Sequence, residues 1–214
     1  MKRKTLDVIV SIGLIGLAGL LLIAGIVLNS NANFARSYVT TQLGAQNITF
    51  KPANALTAEE REHACLVTYA GQKLTTGKQA ECYANEFIGL HLKSTAGGKT
   101  YADMGAVQTE LRAKVAEAQK NNDPALADLQ KQLTQANQDR DTVFKGETLR
   151  GLLLTSYGFS EFGTKAAQAA IVAYLAAGLL LLLGLAGLVH AARTPGTKGF
   201  AMPEADREKG LVDA

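Results

Sequence analysis

Two stretches of this chain are apolar at every turn. Residues 8–28 carry no charge between Asp7 and Asn29, and residues 166–192 carry none between Lys165 and Arg193. At about 1.5 Å rise per residue, the first covers about 31 Å as a helix, close to the hydrocarbon thickness of a bilayer. The second is nearly pure Leu, Ala and Gly at its centre. Only Gln168 and His190 interrupt it, near its two ends. Both stretches are predicted to be transmembrane helices.

Between them the pattern becomes polar with helical periodicity. Phe34, Tyr38, Val39 and Leu43 extend the first helix to about Leu43, and Asn47-Ile48-Thr49-Phe50-Lys51-Pro52 then reads as an extended connector or short edge strand. Thr57 with Glu60 forms a capping box opening a helix to about Ala70, which Gly71 ends. Thr76 with Gln79 repeats the signature and opens a second helix to about Ser94, closed by Gly97 and Gly98. The short turn between the two predicts an antiparallel hairpin. Thr100 opens a third helix to about Lys120, and Asp123-Pro124 restarts the chain as a fourth. That fourth helix carries the narrow stripe Leu126, Leu129, Leu133, Ala136, thickens through Val143, Phe144, Leu149 and residues 152–154, and reaches Gly158 unbroken. Phe159 and Phe162 form an aromatic belt before the second span.

Charge sets the expected orientation. Lys2, Arg3 and Lys4 precede the first span, and Arg193, Lys198, Arg207 and Lys209 follow the second, whereas the far side of the first span has no charge before Arg36. The positive-inside rule then places both termini in the cytoplasm. The resulting division is a cytoplasmic start (1–7), a span (8–28), an extracytoplasmic helical domain (29–165), a second span (166–192) and a cytoplasmic tail (193–214). The 8–28 run exceeds the ~7–15 apolar residues of a signal peptide, so it reads as an uncleaved anchor at the plasma membrane. Cleavage after Ala32 would instead make Asn33 the mature N-terminus. A formal net charge of +3 over 214 residues, with both signs mixed, offers no nucleic-acid surface.

Cys65 and Cys82 both fall in the outer domain, where a pair of cysteines is most simply a disulfide. They lie at equal distances from the hairpin turn, so the bridge would staple its two helices. It would contribute about 3 kcal/mol by restricting the unfolded chain.

Three further stretches are distinctive: QLGAQNITF at 42–50, the run 69–101 with YAGQ, TTGKQA and GGKTY, and FKGETLRGLLLTSYG at 144–158. On these, with the two spans, the chain resembles a family of actinobacterial two-span membrane proteins of uncharacterised function. Members often carry the name of an aromatic ring-opening dioxygenase. The resemblance implies topology and a high-GC Gram-positive host, and supplies no catalytic residues. The cysteine pair is not part of the family pattern.

A ring-cleaving iron site needs two histidines and a carboxylate on one face. The outer histidines are His63 and His91, about two turns apart in the hairpin register, too far to share an ion with ligand bonds near 2 Å. A zinc site from His63, Cys65, Cys82 and His91 fails likewise, because residues two apart on a helix point to opposite sides. Gly77, Gly97 and Gly98 lie at helix ends without the strand context of a phosphate loop. Glu147 and Arg150 read as a surface i,i+3 pair. No catalytic residue, metal or cofactor is expected. Candidate packing or interface positions are the small residues Gly13, Gly16 and Gly19 in the first span, Ala169, Ala173 and Ala177 in the second, and Gly146 and Gly151 in the fourth helix. The two glycines of the fourth helix are expected to pack against the first span's exit, near Phe34 and Tyr38.

These readings describe an all-α membrane protein with a disulfide-stapled hairpin in its outer domain. The expected role is a non-enzymatic accessory or structural subunit of a respiratory or cell-envelope assembly, partnered by lipid and by other membrane proteins. The alternative is a self-associating protein in which residues 124–144 form a homo-oligomeric coil; a ligand-binding module or enzyme ranks last. In intact cells, a membrane-impermeant thiol label should modify a Ser94→Cys variant and leave a Thr197→Cys variant unmodified; the reverse pattern would overturn the charge argument.

Overall fold

The computed structural model describes residues 3–195. The tail beyond Pro195, with Thr197, Lys198, Arg207 and Lys209, and also Lys2, lie outside the described residues. Every described element is helical: α1 (Arg3–Ala45), α2 (Ala58–Arg61), α3 (Ala64–Thr68), α4 (Gly77–Cys82), a π-helix (Tyr83–Ile88), α5 (Gly89–Ser94), α6 (Tyr101–Asn121) and α7 (Leu126–Arg193), with 3-10 turns at Ala53–Ala55 and Thr95–Gly98. The chain divides into two compact units. One comprises Met1–Asn33 and Thr164–Ala214, the other Phe34–Gly163.

In the first, apolar unit, the segments of α1 and α7 pair antiparallel. Asp7 meets His190 at 3.1 Å, the Ser11 side chain lies where a β-carbon on Gly187 would be, and Gly25 faces the Tyr174 ring. The buried positions recur every seven residues, at Ser11, Ala18, Gly25 and Ala32 on one helix and Ala170, Ala177, Gly184 and Ala191 on the other. That 3.5-residue repeat is the seam of a coiled coil, and its small side chains let the backbones come close. At Gly184 a β-carbon would stand 2.7 Å from Ile15 Cγ1 and 3.1 Å from the Ser11 carbonyl oxygen, so only glycine fits.

The sequence reading of this seam needs correction. Gly13, Gly16 and Gly19 face open space, and Ala169 is exposed while Ala170 takes the buried place beside Ala173 and Ala177. Small size permits close packing, but the seven-residue phase decides which small residues are used. The large side chains point outward: Ile12, Leu20, Ile23, Val172, Leu175 and Leu182 are each at least 60% exposed. Of the most apolar stretch in each helix, 17% is buried in α1 and 22% in α7, which separates them from the core helix of a soluble domain. Both are long and apolar enough to cross a membrane.

In the second, polar unit, residues 137–160 of α7 act as a spine. The run α4–π–α5 lies antiparallel along it, with Gly77 on Ser160, Lys78 on Tyr157, Arg150 on Asn85 and Leu92 on Gly146. α6 follows the same helix further from the apolar unit in sequence, with Tyr101 against Phe144, Gly105 beside Arg140 and Gln108 bonded to Asn137. The core formed by Val39, Leu43, Phe50, Leu66, Leu74, Ala80, Ala84, Ile88 and Leu153 joins α1, the connector and the stapled helices. A second core beneath α6 has only Met104, Leu111 and Ala136 fully buried. The stripe at Leu133 and Ala136 is thus used within the chain.

Both expected capping boxes form, at Thr57 with Glu60 and Thr76 with Gln79, and a third joins Thr100 to Asp103 at the start of α6. The helix expected from Thr57 to Ala70 is broken, however. Its chain is extended at His63 (φ −92°, ψ 100°), which separates α2 from α3. The break turns Leu66 into the core and brings Cys65 to Cys82; burial outweighs the weak intrinsic stability of so short a helix. The expected tight turn is likewise an extended segment. Gly71, in the left-handed region (φ +73°), leads into residues that pair with the connector, Phe50 N–H donating to the Gln72 carbonyl and Leu74 N–H to that of Ile48. The helix from Thr76 to Ser94 is continuous but wound as a π-helix in its middle third.

Gly146 and Gly151 part company. A β-carbon at Gly146 would stand 2.6 Å from Leu92 Cδ2, so its contact is α5 rather than the neighbourhood of Phe34 and Tyr38, while Gly151 meets nothing within 4 Å. The phase of α7 turns one glycine into the α5 groove and the other to solvent. Gly146→Leu should therefore lower the stability of the polar unit by about 1–3 kcal/mol through overpacking. Gly151→Leu should be neutral or stabilise it by up to about 1 kcal/mol through helix propensity. Thermal melting of the two purified variants checks the contrast.

Candidate functional site

The polar side chains of the second unit gather in three places. The first surrounds the stapled helices. Glu60 is 1% exposed, yet both its oxygens are engaged: Oε2 accepts the Thr57 backbone N–H at 2.8 Å in the capping box, and Oε1 accepts Lys51 Nζ at 2.7 Å. His91 Nε2 stands 3.5 Å from the same oxygen, and His91 Nδ1–H donates to the Phe87 carbonyl at 2.7 Å. Burial by itself would raise the Glu60 carboxyl pKa. The bonds from Lys51 and Thr57, with the positive charge of Lys51, outweigh it and hold the pKa below the ordinary value.

Beside it runs a ladder of rings, Tyr69, Phe50, Tyr83, Phe87 and His91, with successive centroids 4.4–5.5 Å apart. Tyr83, Phe87 and His91 follow one another at intervals of four along the π-helix and α5, and Lys51 lies 5.1 Å from the Phe87 centroid. Burial pushes the Tyr83 hydroxyl pKa up. His63 is turned elsewhere: its Nδ1 lies 2.6 Å from Glu86 Oε2. His63 and His91 therefore serve separate carboxylates. Among the described residues, no group of three or more His, Cys, Asp or Glu side chains is placed to hold a metal ion. Cys65 and Cys82 are bridged, with Cα atoms 6.1 Å apart, and staple α3 to α4.

The second place ties α4 to α7. Lys78 Nζ bonds the Tyr157 hydroxyl at 3.1 Å and Glu81 at 3.2 Å, lies 3.6 Å from Glu161, and sits 4.6 Å over the Tyr157 ring. The bonds to Tyr157 and Glu81 raise its pKa above the ordinary lysine value. Lower on the same face, Arg150 reaches both Glu147 (3.4 Å) and Asn85 (3.3 Å), so the expected surface pair also clamps the π-helix.

The third place lies between α6 and α7. Arg140 Nη1–H donates to Gln108 Oε1 at 2.5 Å, Gln108 Nε2–H donates to Asn137 Oδ1 at 2.6 Å, and the Arg140 guanidinium stacks 4.2 Å from the Tyr101 ring. These residues line an open cavity of about 230 Å³. A larger, mostly apolar groove of about 410 Å³ follows the seam of α1 and α7, between Tyr38, Gln42 and Gln46 on one side and Leu149, Leu152 and Phe159 on the other.

Sequence reasoning found the cysteines, the caps and the Glu147–Arg150 pair. It missed Lys51, Glu60 as a buried carboxylate, Arg140 and Gln108. The capping boxes did mark Glu60, but nothing local shows that a cap residue becomes buried. Fold and site together describe a helical protein with two helices long and apolar enough to cross a membrane and a disulfide-stapled polar unit. Compared with protein-family models, curated proteins and solved structures, the chain has no match.

Glu60→Gln removes the charge that Lys51 neutralises and should lower stability by about 2 kcal/mol near neutral pH. Because the folded-state pKa of Glu60 is depressed, its contribution is complete above the unfolded value, ~4.3. It is lost as pH falls below that through the folded value. Melting temperatures of wild type and variant, measured from pH 7 downward, should thus converge in acid.

Proposed function

We propose that this protein is a non-enzymatic accessory or structural subunit of a plasma-membrane assembly, with two spans, both termini in the cytoplasm and a helical domain outside. The observation that carries the membrane reading is the inverted surface of the apolar unit, where small residues fill the seam and Leu, Ile and Val face outward. In lipid such a surface needs no protein cover, and in water it would greatly exceed the patches soluble monomers expose. A disulfide in the domain placed outside fits an oxidising compartment.

The accessory role is supported by how the polar unit spends its chemistry. Glu60 with Lys51, Lys78 with Tyr157, Arg150 with Asn85, and Arg140 with Gln108 each fasten one element to another. The α6–α7 hairpin has a thin core and a broad solvated face, as expected of a surface offered to other proteins. The stripe at Leu133 and Ala136 packs on α6 in the same chain, which favours this reading over a homo-oligomeric coil of residues 124–144.

Gentle detergent extraction of the native protein, followed by mass spectrometry of co-purified chains, should recover other membrane proteins in stoichiometric amounts. Recovery of this chain alone would reject the accessory role. An alkaline carbonate wash that releases the protein from membranes would reject the spans themselves.

A further inference from the structure

We propose that the groove on the α1–α7 seam of the polar unit is the contact face of a symmetric dimer, and that its occupant is the same face of a second copy of this chain. The inference rests on the membrane-anchor reading only in that both copies sit in one membrane.

Along α7 the groove is formed by Leu149, Leu152, Ser156 and Phe159, a 3-4-3 spacing that lines up one helical face. Its floor is closed by Val39, Leu43 and Leu153, which belong to the core, and its rim stays open. The open part, with Phe34 adjoining it outside the groove, is apolar and large. Phe34 is 62% exposed, Tyr38 49%, Leu149 39%, Leu152 63% and Phe159 37%, and the rings of Phe34, Tyr38 and Phe159 touch one another. Counting ~200 Å² for a whole aromatic side chain, this is roughly 500 Å² of contiguous surface, near the upper end of what a monomer leaves bare. Two copies facing each other would bury about 1,000 Å², where specific interfaces begin.

The face is also compatible with itself. None of the residues lining the groove is charged, so bringing two copies together sets no like charges against each other. Its polar members include the exposed amides of Gln42 and Gln46. An amide both donates and accepts, so each can be satisfied by a glutamine of a copy related by a two-fold axis. Sharing one membrane with parallel orientation restricts that axis to the membrane normal.

Cysteine cross-linking tests this in the full chain. Cys65 and Cys82 are bridged and are the chain's two cysteines, so an introduced cysteine is its one free thiol. Mild oxidation of proteoliposomes should yield covalent dimer from at least one of Gln42→Cys, Gln46→Cys and Leu152→Cys, at a level independent of dilution with lipid. Ala113→Cys, exposed on α6, should give only the collision background. Leu152→Glu should weaken the dimer at least about tenfold, one decade in the equilibrium constant, with an unchanged helical circular-dichroism spectrum because Leu152 is 63% exposed. The proposal is overturned if all three sites match Ala113→Cys, if Leu152→Glu leaves the dimer intact, or if native mass spectrometry finds a monomer carrying a bound lipid. Release of the protein by carbonate would reject the anchor reading instead, whatever the cross-linking shows.

Discussion

The polar unit depends on how many surfaces one helix can offer. Within about 24 residues, α7 receives α1, the α4–π–α5 run and α6. A helix is only about 10–12 Å across with its side chains, so neighbours that share its circumference must come close. Closeness is achieved where side chains are small: Gly77 opposite Ser160, Gly146 under Leu92, Gly105 beside Arg140. Where they are long, the contact becomes polar, as with Arg150 and Lys78. The π-helix belongs to the same constraint. Its wider turn sets Asn85 toward Arg150, Glu86 toward His63 and Phe87 into the ring ladder, three directions that place each residue against a different element.

The core this arrangement encloses is thin, and covalent and ionic fastenings supplement it. The disulfide restricts the unfolded chain across 17 residues of sequence. Glu60 does two tasks with one carboxylate, capping α2 and receiving Lys51 from the connector, so the break between α2 and α3 is anchored at its start. A carboxylate buried this deeply is tolerated because each oxygen has a donor, and for the same reason it is sensitive to acid.

In the apolar unit the order is reversed. Its interior is made of Ala, Gly and Ser and its exterior of Leu, Ile and Val. Small side chains at the seam let the two backbones come close, and van der Waals contact between them holds the pair. Seven-residue spacing of the small positions on both helices delivers that contact continuously.

Much of the fold was legible from local rules. Charge-free runs marked both long apolar helices; two threonine capping boxes, and Thr100 after them, marked three helix starts; Asp123-Pro124 marked the restart before α7; and two cysteines in one domain marked the bridge. Each of these signals acts over a few residues, and tertiary packing leaves them in place. What composition could not decide was phase. Gly13, Gly16, Gly19 and Gly151 look as able to pack as Gly25, Gly184 and Gly146, and only the rotation of each helix against its neighbour separates the two sets. The same holds for Ala169 and Ala170. The break at His63, the π-turn after Cys82 and the burial of Glu60 were also invisible, because each answers to a residue distant in sequence: Glu86, Arg150, Lys51. By itself the sequence determined which stretches are mostly helical and where α2, α4 and α6 begin; the tertiary structure decided where a helix breaks and which face of each is inside, since both depend on pairwise approach and not on the residue types along one strip.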